Sequence, residues 1–381
     1  MRIIVSGFIG TFCLSGITWH YAQYPLGLHL LGHDVYYIED TSGYICYSHP
    51  DYEWGDPTPV VDYISKAMDF FGLKERWAFR DGITGKCFGL SEKKVLEICS
   101  TADVLISVSN SMSPRHEYLK IPVRVLIDTD PMFTQVPIDI ATFILSIFTH
   151  HFTFGTNMMC EDSKVPDLKY QWHTTRQPVC LQYWQKPDNR QLNGKQREVF
   201  TTIMNLTPKE KFIYNNEEWG QKDVELEKII NLPNQIPEVI FEIVAAGSVK
   251  ADELKKKGWH LSDNLTGINN SITSYMDYIK NSFAEFSVAK ETYVKARTGW
   301  FSDRSACYLA AGRPVILQDT QWSRSIPSGR GVLSFTSAES AVEAVREVAN
   351  NYNVHSTAAK EIANEYFDSS KVLSEMISKL T

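Results

Sequence analysis

Short runs of β-branched and aliphatic residues, each followed by a stretch of helical periodicity, recur along the whole chain, and this alternation leaves few folds open. Arg2–Ser6 is the first such run; it ends at Gly7 and Gly10, and a helical pattern then runs from Gly16 to Leu31 and stops at Gly32. Asp34–Glu39 reads as the next strand. Strand, helix and strand in that order make a βαβ unit, from which doubly wound parallel sheets are built. Val104–Val108, Arg124–Ile127 and Val179–Leu181 extend the series. The stretch Gln182–Arg197 is polar and broken by Pro187 and Gly194, as a linker would be. Beyond it the alternation resumes, with strands over Glu198–Met204, Glu238–Ala245, Phe283–Ser287 and Val315–Leu317, and helices over Lys222–Ile230, Ser271–Asn281 and Asp303–Ala311. From Ser337 onward the pattern is helical. The expected organisation is two α/β domains, residues 1–185 and 186–355, and a helical segment, 356–381, that returns to the first domain.

Composition narrows the partners. With 43% hydrophobic and 22% charged residues, both halves have the apolar surface needed to offset the entropy of ordering. A formal net charge of −7 removes any general attraction to phosphate backbones or anionic lipid. The seven cysteines are odd in number and scattered without a Cys-x-x-Cys pair, which predicts reduced thiols in a cytoplasm. The apolar run after Met1 is too short for a secretion signal. Ile138–Phe148, the longest apolar stretch, falls short of the roughly 20 residues that span a bilayer and reads as a buried element.

The segment Thr298–Thr320, TGWFSDRSACYLAAGRPVILQDT, carries the most chemistry. A helix starting near Ser302 and Asp303 offers free backbone N–H groups and a positive dipole end, where a diphosphate can dock with help from Arg304, Ser302 and Ser305. Such a site needs no metal. The helix followed by Gly-x-Pro-Val-Ile, with Asp319 and Thr320 beyond, resembles the nucleotide-sugar half of the GT-B glycosyltransferases. The likeness extends to Gly16–Thr41, Arg124–Gln135, His150–Asn157 and Thr174–Val179, which look like a bacterial and phage-type subgroup of that family.

The resemblance implies two Rossmann-like domains whose parallel sheets face a central cleft. The first would bind a hydroxyl acceptor and the second a nucleotide-sugar, most simply a UDP-sugar acting as co-substrate, with no bound cofactor. Donor contacts are expected from Lys222, Glu285, Trp300, Ser302, Asp303, Arg304, Ser305, Gly312, Asp319 and Thr320, and acceptor contacts from Gly10 and Tyr44. His20, in the first helix, is placed as the general base of an inverting transfer, since a neutral imidazole accepts a proton at cytoplasmic pH. Asp103 and Asp128 are candidates to orient it, and Asp130, at a strand end, to touch acceptor or sugar hydroxyls. Where many retaining members carry a Glu, this chain has Cys307, so their machinery does not transfer directly. A modified DNA base, a glycan or a small molecule would each serve as acceptor. A nucleotide-sugar epimerase of the same shape and a non-catalytic nucleotide-sugar-binding protein are the competing expectations.

Overall fold

A computed structural model of the chain describes all residues except 42–54, 186–197, 206–210, 247–250, 263–264, 270 and 381. Tyr44 and most of the expected linker therefore lie outside the described residues. The first half forms an eight-stranded sheet from β1 (Arg2–Ser6), β2 (Asp34–Thr41), β3 (Trp77–Asp81), β4 (Cys87–Gly89), β5 (Val104–Val108), β6 (Val123–Asp128), β7 (His150–Thr153) and β8 (Trp172–Thr174). Its order is β4-β3-β2-β1-β5-β6-β7-β8, and every pairing is parallel except β3 with β4. Ile3, Ile4 and Val5 are completely buried, as a strand covered by helices on both faces must be.

The second half holds β9 (Val199–Asn205), a hairpin of β10 (Phe212–Tyr214) and β11 (Glu217–Trp219), then β12 (Ile240–Ala246), β13 (His260–Ser262), β14 (Ala284–Ser287), β15 (Val315–Gln318) and β16 (Val332–Phe335). Apart from the hairpin these strands form a parallel sheet of order β13-β12-β9-β14-β15-β16. In each sheet the strand order reverses once, at β1/β5 and at β9/β14. Ligands of open α/β sheets bind outside the carboxyl ends of the strands at such reversals.

Five helices position the site: α1 (Ser15–Leu30), α2 (Lys222–Lys228), α3 (Ile272–Asn281), α4 (Asp303–Ala310) and α5 (Ser369–Ser378). Helix α1 is buried along almost its whole length because it packs on the second half as well as on its own sheet. The Ser15 hydroxyl donates to the Ser271 carbonyl at 2.9 Å and the Trp19 indole to that of Ile272 at 2.9 Å. On its other side, a Cβ at Gly27 would come within 2.5 Å of Leu373, so the close seating of α5 on α1 requires glycine there. Val179 and Asp368 form a parallel bridge where the chain end meets the first half. The expected boundary after residue 355 falls inside one continuous helix, Tyr352–Ile362.

Two expectations are corrected. Val179–Leu181 is not a strand: only Val179 bridges, and Leu181–Trp184 is a helical turn. Ile138–Phe148 is not a buried element either. Its helix, Ile138–Ser146, buries Ala141 and Leu145 but leaves Ile140 58% and Phe143 67% exposed.

Candidate active site

Loops that follow the carboxyl ends of both sheets meet at the start of α4. The Trp300 indole donates to the Thr129 carbonyl at 3.1 Å, fixing the turn before α4 to the end of β6. Gly299 has φ +76°, and a Cβ there would lie 2.4 Å from the Asn157 amide nitrogen, so both conformation and space demand glycine. The Gly299 N–H donates to the Thr320 carbonyl at 2.7 Å and the Thr320 hydroxyl to the Trp300 carbonyl at 2.7 Å. Asp319 accepts from the Gln321 N–H at 2.9 Å and the Ser323 hydroxyl at 2.7 Å. Trp300, Asp319 and Thr320 thus hold the loop that presents α4.

Ser302 caps α4, accepting weakly from the Ser305 N–H at 3.5 Å, and the Ser305 hydroxyl is buried without a partner among the described residues. Facing this turn across the interface is His20. Its side chain is 9% exposed, packed edge-on against Tyr21, Tyr24 and Phe154. Its Nδ1 has no hydrogen-bond partner and lies 3.6 Å from Asp303 Oδ2.

Asp130 reaches over from the first half to the second, where it accepts from Lys290 Nζ at 2.5 Å and from the Tyr293 hydroxyl. Burial alone would raise its carboxyl, but the Lys290 ammonium holds it below the usual range. Lys222, at the start of α2, is half-buried and makes no ion pair among the described residues. Burial, reinforced by the nearby charges of Arg304 and Lys290, pushes its amine down to about 7. Lys222 thus lies close to Asp303 and Arg304 of α4 and to Lys290, whose ammonium is paired with Asp130.

The Lys222 shift has a sign that can be measured. Between pH about 7 and about 10 the unfolded chain holds a proton at this position that the folded chain lacks. This group's contribution therefore makes the ligand-free fold more stable as pH rises through that window. An anion bound beside Lys222 restores the charge, so binding of a nucleoside diphosphate at pH 8 should take up a proton. Calorimetric titration in buffers of different ionisation enthalpy reads that uptake directly, and Lys222→Met should abolish it.

Other expected residues do different work. Asp128 is fully buried and accepts from Thr134 Oγ1 at 2.6 Å, Gln135 Nε2 at 3.0 Å, Thr153 Oγ1 at 2.9 Å and the Asp130 N–H at 3.0 Å. It shapes the turn after β6 and does not orient His20. Asp103 accepts from the Arg2 N–H at 2.7 Å at the amino edge of the first sheet, opposite to the site. Gly10 is tightly packed: a Cβ there would lie 2.4 Å from Ile64, and its N–H donates to Glu39 at 2.9 Å. Gly312 has φ +71° just past α4, at the opposite end of that helix from Ser302, and closes the helix.

Arg304 is also redirected. Its Nε donates to Glu285 Oε1 at 2.6 Å, one Nη to the Ser287 hydroxyl at 2.7 Å and the other to the Ile203 carbonyl. Strands β9 and β14 pair only at Ala284 with Phe200 and Glu285 with Thr201. The guanidinium fills the gap where they part, and Glu285, 0% exposed, neutralises it. Sequence reasoning missed Lys290 and Tyr293. Their signal was position, just beyond the carboxyl end of β14.

No protein-family model matches the sequence, and no curated protein matches it. Solved structures do. An alpha-glucosyltransferase in complex with UDP and DNA containing an HMU base superposes with a TM-score of 0.62 at 13% identity, covering 100% of this chain and 99% of that one. AviGT4, a glycosyltransferase involved in avilamycin A biosynthesis, gives 0.55 at 10% identity over 100% of this chain and 97% of its own. Anabaena Alr3699/HepE, solved with UDP and glucose, gives 0.54 at 11% identity over 100% and 99%. The chain has the GT-B fold. In GT-B terms, His20 and Asp130 belong to the first half, and Lys222, Lys290 and α4 to the second. They can together surround a group that is anionic at one end and rich in hydroxyls at the other. Among the described residues no cluster of three His, Cys, Asp or Glu side chains is placed to hold a metal, and no helix is long and apolar enough to cross a membrane.

Proposed function

We propose that the chain is a cytoplasmic glycosyltransferase that moves a sugar from a nucleotide-sugar, a UDP-sugar in the simplest form, to a hydroxyl acceptor with inversion. One observation carries the reading: His20 faces the start of α4, the same helix end that Lys222 approaches from the second half. The diphosphate sits against the free N–H groups of α4 with the two lysines, which lowers the cost of negative charge on the departing nucleotide. The sugar then projects toward Asp303 and Asp130. His20 removes the acceptor proton as the acceptor oxygen attacks the anomeric carbon, and the bond to the diphosphate breaks with its electrons leaving on phosphate. The UDP present in several fold neighbours supports the choice of nucleotide.

The acceptor is a hydroxyl compound, and a hydroxymethylated DNA base is one such group because the first fold neighbour was solved with HMU-containing DNA. Labelled UDP-sugars offered with DNA, glycan and small-molecule acceptors test the reading, with the anomeric configuration of the product read by NMR. Transfer should persist in excess EDTA, because helix N–H groups and lysines take the place of a metal. Loss of activity restored by Mg²⁺ or Mn²⁺ would overturn the metal-free part, and interconversion of donor sugars without transfer would make the chain an epimerase.

A further inference from the structure

A histidine that acts as a base needs its second nitrogen held, because the group on Nδ1 sets the tautomer that leaves Nε2 free to accept. In this chain the carboxylates of the first half do not serve. Asp128 spends both oxygens on the turn after β6, Asp103 lies at the opposite edge of the sheet, and Asp130 is taken by Lys290 and Tyr293. The group that does face Nδ1 comes from the other half. Asp303 Oδ2 is 3.6 Å from a ring nitrogen that is buried and has no other partner, while Asp303 keeps more than a third of its side chain exposed.

We infer that Asp303 is the positioning residue for His20, so that the base is assembled across the cleft from one residue of each half. The inference rests on the transfer reading above. The groups around the imidazole are Tyr21 and Tyr24 from its own helix, Phe154 after β7, Asp130 after β6 with Lys290 behind it, and Asp303 on α4. The His20 backbone is anchored separately, its carbonyl accepting from Gln177 Nε2 at 3.1 Å. A closure of about 0.6 Å, or a turn of the Asp303 carboxylate, makes the Nδ1–H···Oδ2 bond. Asp303 is the first residue of the helix end that receives the diphosphate. Donor binding fixes that turn and so fixes the carboxylate that orients the base.

During transfer the acceptor hydroxyl proton passes to His20 Nε2, the acceptor oxygen bonds to the anomeric carbon, and the diphosphate leaves with the electron pair. The Nδ1 proton stays on the ring, its hydrogen bond accepted by Asp303, which stabilises the imidazolium that later returns the Nε2 proton to solvent.

The test compares Asp303→Asn, Asp303→Glu and His20→Ala, reading kcat, its pH profile and the affinity for UDP. In Asp303→Asn, kcat should fall roughly tenfold or more and the acid limb of the kcat profile should move to lower pH, since the imidazolium has lost its carboxylate. UDP affinity should stay within about threefold, and Asp303→Glu should recover part of kcat and return the limb toward the original pH. If His20→Ala lowers kcat by roughly 100-fold or more but Asp303→Asn leaves the acid limb unmoved, the cross-cleft pairing is wrong while the transfer reading stands. If His20→Ala keeps near-normal kcat, the role of His20 itself is wrong, and the pairing falls with it.

Discussion

His20→Ala should lower kcat by roughly 10²–10⁴-fold, the usual contribution of a positioned general base, while leaving UDP affinity nearly unchanged. The separation of the two effects follows from the geometry. His20 enters the site from α1 of the first half, whereas Lys222, Lys290 and the open turn of α4 all belong to the second. Removing the imidazole deletes none of the second-half groups proposed to hold the diphosphate. It does leave a hole among Tyr21, Tyr24 and Phe154, so the measurement needs a folding control; His20→Gln fills most of that volume without supplying a base. Both variants should lose the acid limb of the pH profile. Near-normal kcat in a folded His20→Gln protein would show the residue to be a packed histidine, and Asp130 would become the next candidate. Product stereochemistry bears on the same point, because a retained anomer would mean that no external base of this kind is needed.

How much of this was legible in the sequence depended on burial. Strands covered on both faces are largely apolar, so β1, β5, β9, β12, β14 and β15 stand out as apolar-rich runs without alternation, even though β9 and β14 bury Thr201, Thr202 and Glu285. The strands that escaped notice include β4 (CFG), β7 (HHFT), β8 (WHT) and the β10–β11 hairpin, which are short, rich in polar or aromatic residues, and too brief to show a period. The turn into α4 was legible because Ser-Asp before a helix and Gly after it are local signals. Side-chain destinations were not. Asp128 and Asp130 are two residues apart at a strand end, yet one turns into the core onto Thr134, Gln135 and Thr153 while the other crosses to Lys290. Asp103 could have been set aside from sequence, since a residue just before a strand lies at the amino edge, away from the ligand crevice. The pairing of His20 with Asp303, 283 positions along the chain, depends on how the two halves dock, which no local pattern encodes.

Arg304→Ala should destabilise the protein by about 3–5 kcal/mol, the cost of removing one partner from a buried pair. The sequence alone makes Arg304 a phosphate ligand, which would predict weaker donor binding and little change in stability. The structure reverses that order. Burial works against the guanidinium, but Glu285 beside it raises its pKa and keeps it charged. Remove the arginine and Glu285, 0% exposed with Oε2 already lacking a partner, becomes a bare carboxylate beneath α4. The Ser287 hydroxyl and the Ile203 carbonyl also lose their donor, at the point where β9 and β14 have stopped pairing. Urea unfolding should therefore show the loss in the absence of nucleotide. The double variant Arg304→Met/Glu285→Leu should regain most of it, because the pair is costly to break but replaceable by apolar groups of similar volume. UDP titration of that double variant then isolates any direct contact. If it is as stable as the wild type yet has lost UDP binding by about 1.5–3 kcal/mol, the guanidinium touches phosphate after all. If affinity is retained, the role of Arg304 is to close the crevice between the two strands, and Lys222, Lys290 and the α4 backbone hold the diphosphate.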